Sequence, residues 1–151
     1  MTTTQVREAQ PNDFDGVMRL YRQLQPRDPV LTNGADKKVF QAILQNPDLY
    51  LFVLIKTDLV VATTYLNIIP NITRSASPYA VIENVVTDEA LRGTGVGKQL
   101  MQYTLQFAWD EGCYKVMLQT GSKQESTHGF YRACGFSGDE KKGYLARPQR
   151  N

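Results

Sequence analysis

The chain predicts a mixed α+β fold, and three observations carry that expectation. Runs rich in β-branched and aromatic residues occur at 49–55, 59–69 and 79–87, a long amphipathic helical pattern covers 95–111, and a further strand-like run follows at 115–120. Strands joined by short, hairpin-like turns argue against a regular βαβ series. With 151 residues, the chain falls in the size range of one domain, 1–151, burying roughly 70% of its unfolded surface.

The elements follow in order. Residues 4–9 read as a first strand. Pro11-Asn12-Asp13 then starts a helix with Asn12 as its cap, and Phe14, Val17, Met18, Tyr21 and Leu24 recur at helical spacing until Pro26. Pro29, Asn33 and Gly34 mark a turn region, after which Val39, Phe40, Ile43 and Leu44 form a second helical pattern closing at Asn46-Pro47. Strands 49–55 and 59–69 meet at the hairpin turn Lys56-Thr57-Asp58, and residues 70–78 form a polar loop before the strand at 79–87. In the long helix, Leu100, Met101, Leu105, Phe107 and Ala108 form an apolar arc opposite Lys98, Gln99, Gln102 and Gln106, which leaves Trp109 on the polar side. A short helix at about 124–134 and a final β region at 136–147 complete the expected elements.

Composition excludes several classes of function. Hydrophobic residues make up 42% and charged residues 21%, far from the signature of disorder. The net charge is +2 with scattered basic residues, so no nucleic-acid partner is expected and any anion site must be local. The N-terminal residues lack the apolar core of a signal peptide, and the greasiest stretch, 49–70, is interrupted by Lys56 and Asp58, so no membrane segment and a cytoplasmic location are expected. Cys113 and Cys134 fit no metal or CxxC spacing; they are expected as packed thiols, with no metal site.

The strongest local signal is Asp88-Glu-Ala-Leu-Arg92-Gly93-Thr94-Gly95-Val96-Gly97-Lys98, between the strand at 79–87 and the long helix. Glycines at 93, 95 and 97 permit a tight turn with positive φ and leave room for a ligand to approach the main-chain N–H groups. The helix that starts there adds unpaired donors and partial positive charge, so a phosphate or pyrophosphate is the natural guest, with Arg92 and Lys98 as added cations. Two rival motifs fail. A dinucleotide fingerprint starting at Gly93 needs glycine where Lys98 stands, and a P-loop needs glycine and Ser or Thr where Arg92 and Gln99 stand. A plain glycine cap is the bland alternative.

These residues resemble the coenzyme A-binding signature Gln/Arg-x-x-Gly-x-Gly/Ala of the GNAT superfamily of N-acetyltransferases, matched by Arg92, Gly95 and Gly97. A second match is Gly129-Phe130-Tyr131-Arg-Ala-Cys134-Gly135-Phe136, similar to the family's Phe-Tyr…Gly-Phe segment. The resemblance covers roughly residues 81–136. Gly112-Cys-Tyr-Lys-Val116 and Ile82-Glu83 also look like glucosamine-6-phosphate N-acetyltransferases, although Thr127 stands where that subgroup has asparagine. The resemblance implies a mostly antiparallel twisted sheet flanked by about four helices, acetyl-coenzyme A or coenzyme A as acyl donor, a small-molecule amine acceptor and a homodimer.

It also implies roles for named residues. The strand segment Val85, Val86 and Thr87 splays from its neighbour and pairs with the pantetheine arm, while Arg92, Gly93, Thr94, Gly95, Val96, Gly97 and Lys98 hold the pyrophosphate. The Val85 N–H is the first choice for stabilising the oxyanion. Tyr131 matches the tyrosine that serves the sulfur, since a phenol with a reference pKa of about 10 can donate to a thiolate whose conjugate acid has about 8.5.

Glu83 lies in an otherwise apolar strand, where burial would suit a carboxylate to act as general base, directly or through water. His128, the only histidine, is an alternative base three residues before Tyr131. Arg27, Asp28 and Arg74 are candidates for recognising acceptor charge. A coenzyme A-binding sensor without transferase activity and a protein-amine acetyltransferase stay open as alternatives.

Overall fold

The computed structural model describes residues 3–150, which fall into two compact units, one ending at Leu118 and one beginning at Gln119. The first unit holds a five-stranded sheet in the order β1-β2-β3-β4-β5, formed by β1 (Thr4–Glu8), β2 (Leu49–Lys56), β3 (Leu59–Ile69), β4 (Tyr79–Thr87) and β5 (Val116–Met117). Neighbours are antiparallel as far as β4, and the β4–β5 pair is parallel. Its helices are α1 (Phe14–Leu24), α2 (Ala35–Gln45), the one-turn α3 (Thr73–Ala76) and α4 (Val96–Asp110). The second unit carries α5 (Glu125–Ala133). The expected mostly antiparallel sheet and its helices are therefore present.

Strand alternation divides the sheet into two faces. On one face, Leu51 and Val53 of β2 pack with Val17 and Leu20 of α1 and Phe40 of α2. The other face of β2 presents Phe52, whose ring meets Tyr103 and Phe107 of α4 edge-on at 5.2 and 5.0 Å. Helix α4 buries Leu100, Met101 and Ala108 as its periodicity predicts, and it also buries Thr104. That hydroxyl lies 2.8 Å from the buried Thr64 hydroxyl of β3 and 2.9 Å from the Leu100 carbonyl, so neither threonine is left unpaired. Trp109 is 45% exposed, as its place on the wheel suggests.

Several expectations are corrected. Asn12 does not cap the first helix; the chain enters through a 3-10 turn, Pro11–Asp13, in which the Gln10 N–H donates to Asp13 Oδ2 at 2.7 Å. Residues 70–78 are not featureless, because Arg74, Ser75 and Ala76 form a left-handed turn with φ of 56, 60 and 58°. L-residues adopt that conformation at a cost of roughly 1–2 kcal/mol each. The strand expected at 115–120 pairs only over Val116 and Met117.

The β region expected at 136–147 is absent among the described residues. That stretch contains Gly138, Gly143 and the charged run Asp139-Glu140-Lys141-Lys142, and its apolar residues Tyr144 and Leu145 are 86% and 72% exposed. With so little apolar burial, nothing offsets the entropy of ordering a strand. Cys113 is buried, which pushes its thiol pKa up, while Cys134 is half-buried.

Candidate functional site

Two features of β4 turn a structural strand into a place where a ligand can dock. The first is a bulge. Thr63 pairs with Val86 and Tyr65 with Glu83, so Asn84 and Val85 together oppose the single residue Thr64. Asn84 accommodates the extra residue with φ +52°, a left-handed conformation that asparagine tolerates better than most L-residues. The second is an open edge. On its other side β4 pairs with β5 only at Ala80 and Val81, so among the described residues Ile82 to Thr87 have no strand partner there. Backbone groups along such an edge are a ready template for an extended, amide-containing ligand.

The chain then enters the glycine turn. Asp88 caps the short 3-10 turn Glu89–Leu91, its Oδ1 accepting from the Ala90 N–H at 3.1 Å. Gly93 and Gly95 have φ of +78° and +92°, and a Cβ at either position would meet nothing within 4 Å. Backbone conformation, and not packing, therefore demands glycine there. Gly97 differs from expectation: it lies in the first turn of α4 and is not among the positive-φ residues. Gly95 is the N-cap of α4, so the helix's first N–H groups open onto a surface where Arg92, Thr94 and Lys98 are exposed. Neither cation forms an ion pair among the described residues. This arrangement fits an anionic phosphate.

Helix α1 holds the entrance to that turn. Arg19 donates from Nη1 to Asp88 Oδ2 and from Nη2 to the Val60 carbonyl, each at 2.7 Å. One helical turn on, Gln23 Oε1 accepts from the Glu89 N–H at 2.9 Å. The helix sits close to β3, for a Cβ on Gly16 would lie 2.9 Å from Val60 Cγ2. Sequence reading missed this clamp because Arg19 and Asp88 stand 69 residues apart with no local motif between them.

The clamp has a pH signature. The Arg19 hydrogen bond, joined by the Ala90 N–H, holds the Asp88 carboxyl below its ordinary 3.8. Burial pushes Asp13 up, but the Arg7 guanidinium and the Gln10 N–H outweigh it and the net direction is again down. The folded chain thus binds fewer protons than the unfolded chain. The stability these groups contribute is present above the unfolded carboxyl value and is lost as pH falls through the folded one. The thermal midpoint is expected to drop as pH falls below the ordinary carboxyl value of 3.8, and less steeply in Asp88→Asn; identical slopes in the two proteins contradict the assignment.

The structure places the remaining expected residues as follows. Val85 and Thr87 are half-buried and Val86 is buried, with Val86 and Thr87 back in register with β3. Glu83 is exposed, opposite Tyr65, so the expected burial of this carboxylate is not found. Arg27, Asp28 and Arg74 are exposed as well, and the Arg74 guanidinium lies over the Tyr114 ring at 5.9 Å. In the second unit, Tyr131 is half-buried on α5, its ring edge-on to Phe130 and Phe136 at 5.3 and 6.0 Å. His128 Nε2 lies 2.8 Å from the Ser122 carbonyl, and Thr127 shares a hydrogen bond with Ser122 at 3.1 Å. A cleft of about 410 Å³ bordered by Arg7, Asp13, Asp58 and Val60 involves none of these residues.

The chain that carries this segment has counterparts among known proteins. The profile of the acetyltransferase (GNAT) family matches residues 16–136. The chain belongs to the GNAT acetyltransferase family. A solved structure described as an acetyltransferase from Agrobacterium tumefaciens is 44% identical, with a TM-score of 0.90 over 95% of this chain and 99% of that one.

Among curated GNAT relatives, a glucosamine 6-phosphate N-acetyltransferase of Trypanosoma brucei brucei is 35% identical over 86 residues, 57% of this chain and 56% of that protein. Glucosamine 6-phosphate N-acetyltransferase 1 of Oryza sativa subsp. japonica is 42% identical over 55 residues, 36% of this chain and 32% of its own length. The matches thus span about half or less of those curated relatives. No described helix of this GNAT protein is long and apolar enough to cross a membrane.

Proposed function

We propose that this protein transfers the acetyl group of acetyl-coenzyme A to the primary amine of a small molecule by direct attack. The observation that carries this reading is the continuity of one segment: the Asn84–Val85 bulge, the open β4 edge and the Gly93–Gly95 turn follow one another into the N-terminus of α4. The turn and Arg92 and Lys98 hold the pyrophosphate, the edge from Val85 to Thr87 pairs with the pantetheine amides, and the Val85 N–H polarises the thioester carbonyl. Removing one such oxyanion donor typically costs about 100- to 1,000-fold in rate.

The amine nitrogen attacks the acetyl carbon, the C–S bond breaks, and the proton lost by nitrogen leaves to a base. We assign that base to Glu83, directly or through water, its exposure being compatible with the second route; His128 is the alternative. Tyr131 protonates the departing thiolate, an assignment that rests on the Phe130-Tyr131 motif. The names of the curated relatives make an amino sugar phosphate the first acceptor to test. A homodimer acting in the cytoplasm completes the reading.

Thermal unfolding in parallel with acetyl-coenzyme A, coenzyme A, ATP and NAD tests the donor site. A ligand at about 100 times its dissociation constant stabilises by about 2.7 kcal/mol, a rise of roughly 8 °C at this chain length. The expected result is a shift with acetyl-coenzyme A and coenzyme A. A shift with ATP or NAD instead, or with none of the four, contradicts the reading.

A further inference from the structure

The sheet face that carries the α1-side core also carries a pair of polar side chains that the fold leaves unused. Tyr65 of β3 stands opposite Leu51 of β2 on one side and opposite Glu83 of β4 on the other. Directly paired residues of an antiparallel ladder point to the same face, with Cβ atoms about 4.5–5.5 Å apart. Leu51 belongs to the core cluster that includes Val17 and Leu20 of α1, and Tyr65 packs against that cluster. Glu83 therefore shares the α1-side face with the Tyr65 ring.

The two side chains are held differently. Tyr65 is half-buried with its ring against the core, and burial raises its phenol above the ordinary pKa of 10, so the hydroxyl is neutral at physiological pH. Glu83 is exposed. Among the described residues, no hydrogen bond or ion pair engages the Tyr65 hydroxyl or the Glu83 carboxylate, and none joins them to each other. The hydroxyl is not a buried orphan either, because Arg19 Nε is the only fully buried side-chain polar atom left unpaired among the described residues. It opens to solvent. A phenol oxygen and a carboxylate on one face, with neither bonded to the other, suit a guest with several N–H donors and no acceptor, which is the pattern of a primary ammonium.

We propose that Tyr65 is an acceptor-binding residue, its hydroxyl oxygen accepting a hydrogen bond from the primary ammonium of the substrate and holding that nitrogen on the Glu83 side of the sheet face. This rests on the reading of the reaction given above. The pair stands next to the bulge, and Val85, assigned to the thioester carbonyl, lies two residues beyond Glu83, roughly 7 Å along the strand. Of the three donors of the ammonium, one serves Tyr65 and one carries the proton that passes to Glu83, directly or through water. The lone pair so freed forms the N–C bond as the C–S bond breaks and the thiolate leaves. Tyr65 takes no proton itself. An alcohol has one donor and cannot serve both groups, so the pair selects amines.

The test has two stages, both on the full chain. Thiol release from acetyl-coenzyme A first identifies an amine that the unaltered protein acetylates, with glucosamine 6-phosphate, ethanolamine and spermidine as probes. Calorimetric titration of that amine into protein saturated with coenzyme A then reads its affinity without turnover. Tyr65→Phe, which keeps the ring in the core and deletes the hydroxyl, should bind the amine about 10-fold or more weakly, the usual consequence of losing a hydrogen bond to a charged group. Its affinity for coenzyme A should change by less than about two-fold, because the glycine turn is untouched. Glu83→Gln, which removes the charge facing the same nitrogen, should also weaken the amine by about 10-fold or more and spare coenzyme A.

Equal amine affinity in Tyr65→Phe and the unaltered protein overturns the proposal. Equal losses of amine and coenzyme A affinity overturn it as well, since they mark a disturbed core and not a lost contact. Should Tyr65→Phe fail to fold, Glu83→Gln decides: an unchanged amine affinity removes the paired site. If the unaltered protein releases thiol with none of the amines, the transfer reading itself has failed, and the proposal falls with it.

Discussion

Replacing Gly95 by valine should weaken coenzyme A binding by about 100-fold while leaving the sheet folded. At φ +92° the N-cap of α4 occupies backbone space that a β-branched residue essentially cannot enter. The chain must reorient there, and the first N–H groups of the helix turn away from the pyrophosphate. Charge-assisted hydrogen bonds contribute about 1.5–3 kcal/mol each, so losing one or two accounts for a factor near 100. Nothing lies within 4 Å of a Cβ at this position, so a steric clash with the rest of the fold does not confuse the result. Calorimetric titration with coenzyme A reads the loss directly. An unchanged affinity makes the turn a plain helix cap.

The second large effect is expected at Tyr131. Tyr131→Phe retains the edge-on contacts with Phe130 and Phe136 and deletes only the hydroxyl. If that hydroxyl protonates the thiolate, kcat should fall by about 100-fold or more, within the usual range for a general acid. Affinity for acetyl-coenzyme A should change by less than about two-fold, since the pyrophosphate turn is untouched. Steady-state rates with an active amine, set beside calorimetric binding, separate the two quantities. A kcat within about three-fold of the unaltered protein removes the acid role from Tyr131.

Much of the fold was legible because its signals are local. The β2–β3 hairpin, β4 and the amphipathic α4 follow from β-branched runs, a polar turn and a period of 3.6. The glycine turn was legible for the same reason, since Gly93 and Gly95 mark positive φ in the sequence itself.

What was not legible depends on contacts between distant residues or on conformations that carry no compositional mark. Asn84 adopts left-handed φ inside a strand that otherwise reads as uninterrupted, because one unpaired residue leaves no trace in a hydrophobic run. Thr104 belongs to the core because Thr64, 40 residues earlier, satisfies its hydroxyl, and the apolar letters of the helical wheel give no sign of it. Glu83 looked buried because its sequence neighbours are apolar, yet it is exposed opposite Tyr65. The stretch 136–147 looked β-like by its aromatic and apolar letters, but its charges and glycines leave little to bury. Gly97 illustrates the opposite error: a motif glycine read as a special conformation is helical in the structure.

The central claim is acetyl transfer from acetyl-coenzyme A to an amine, and the most direct measurement is thiol release from acetyl-coenzyme A with a panel of amines, each product checked by mass. The panel should include amino sugars and their phosphates, amino acids, polyamines, an aminoglycoside and a lysine peptide. The account predicts amine-dependent thiol release matched by an equal amount of one acetylated small molecule, abolished or strongly reduced in Tyr131→Phe and Gly95→Val. Tight binding of acetyl-coenzyme A with no amine-dependent release for any member would contradict transfer and leave a protein that binds the donor without using it.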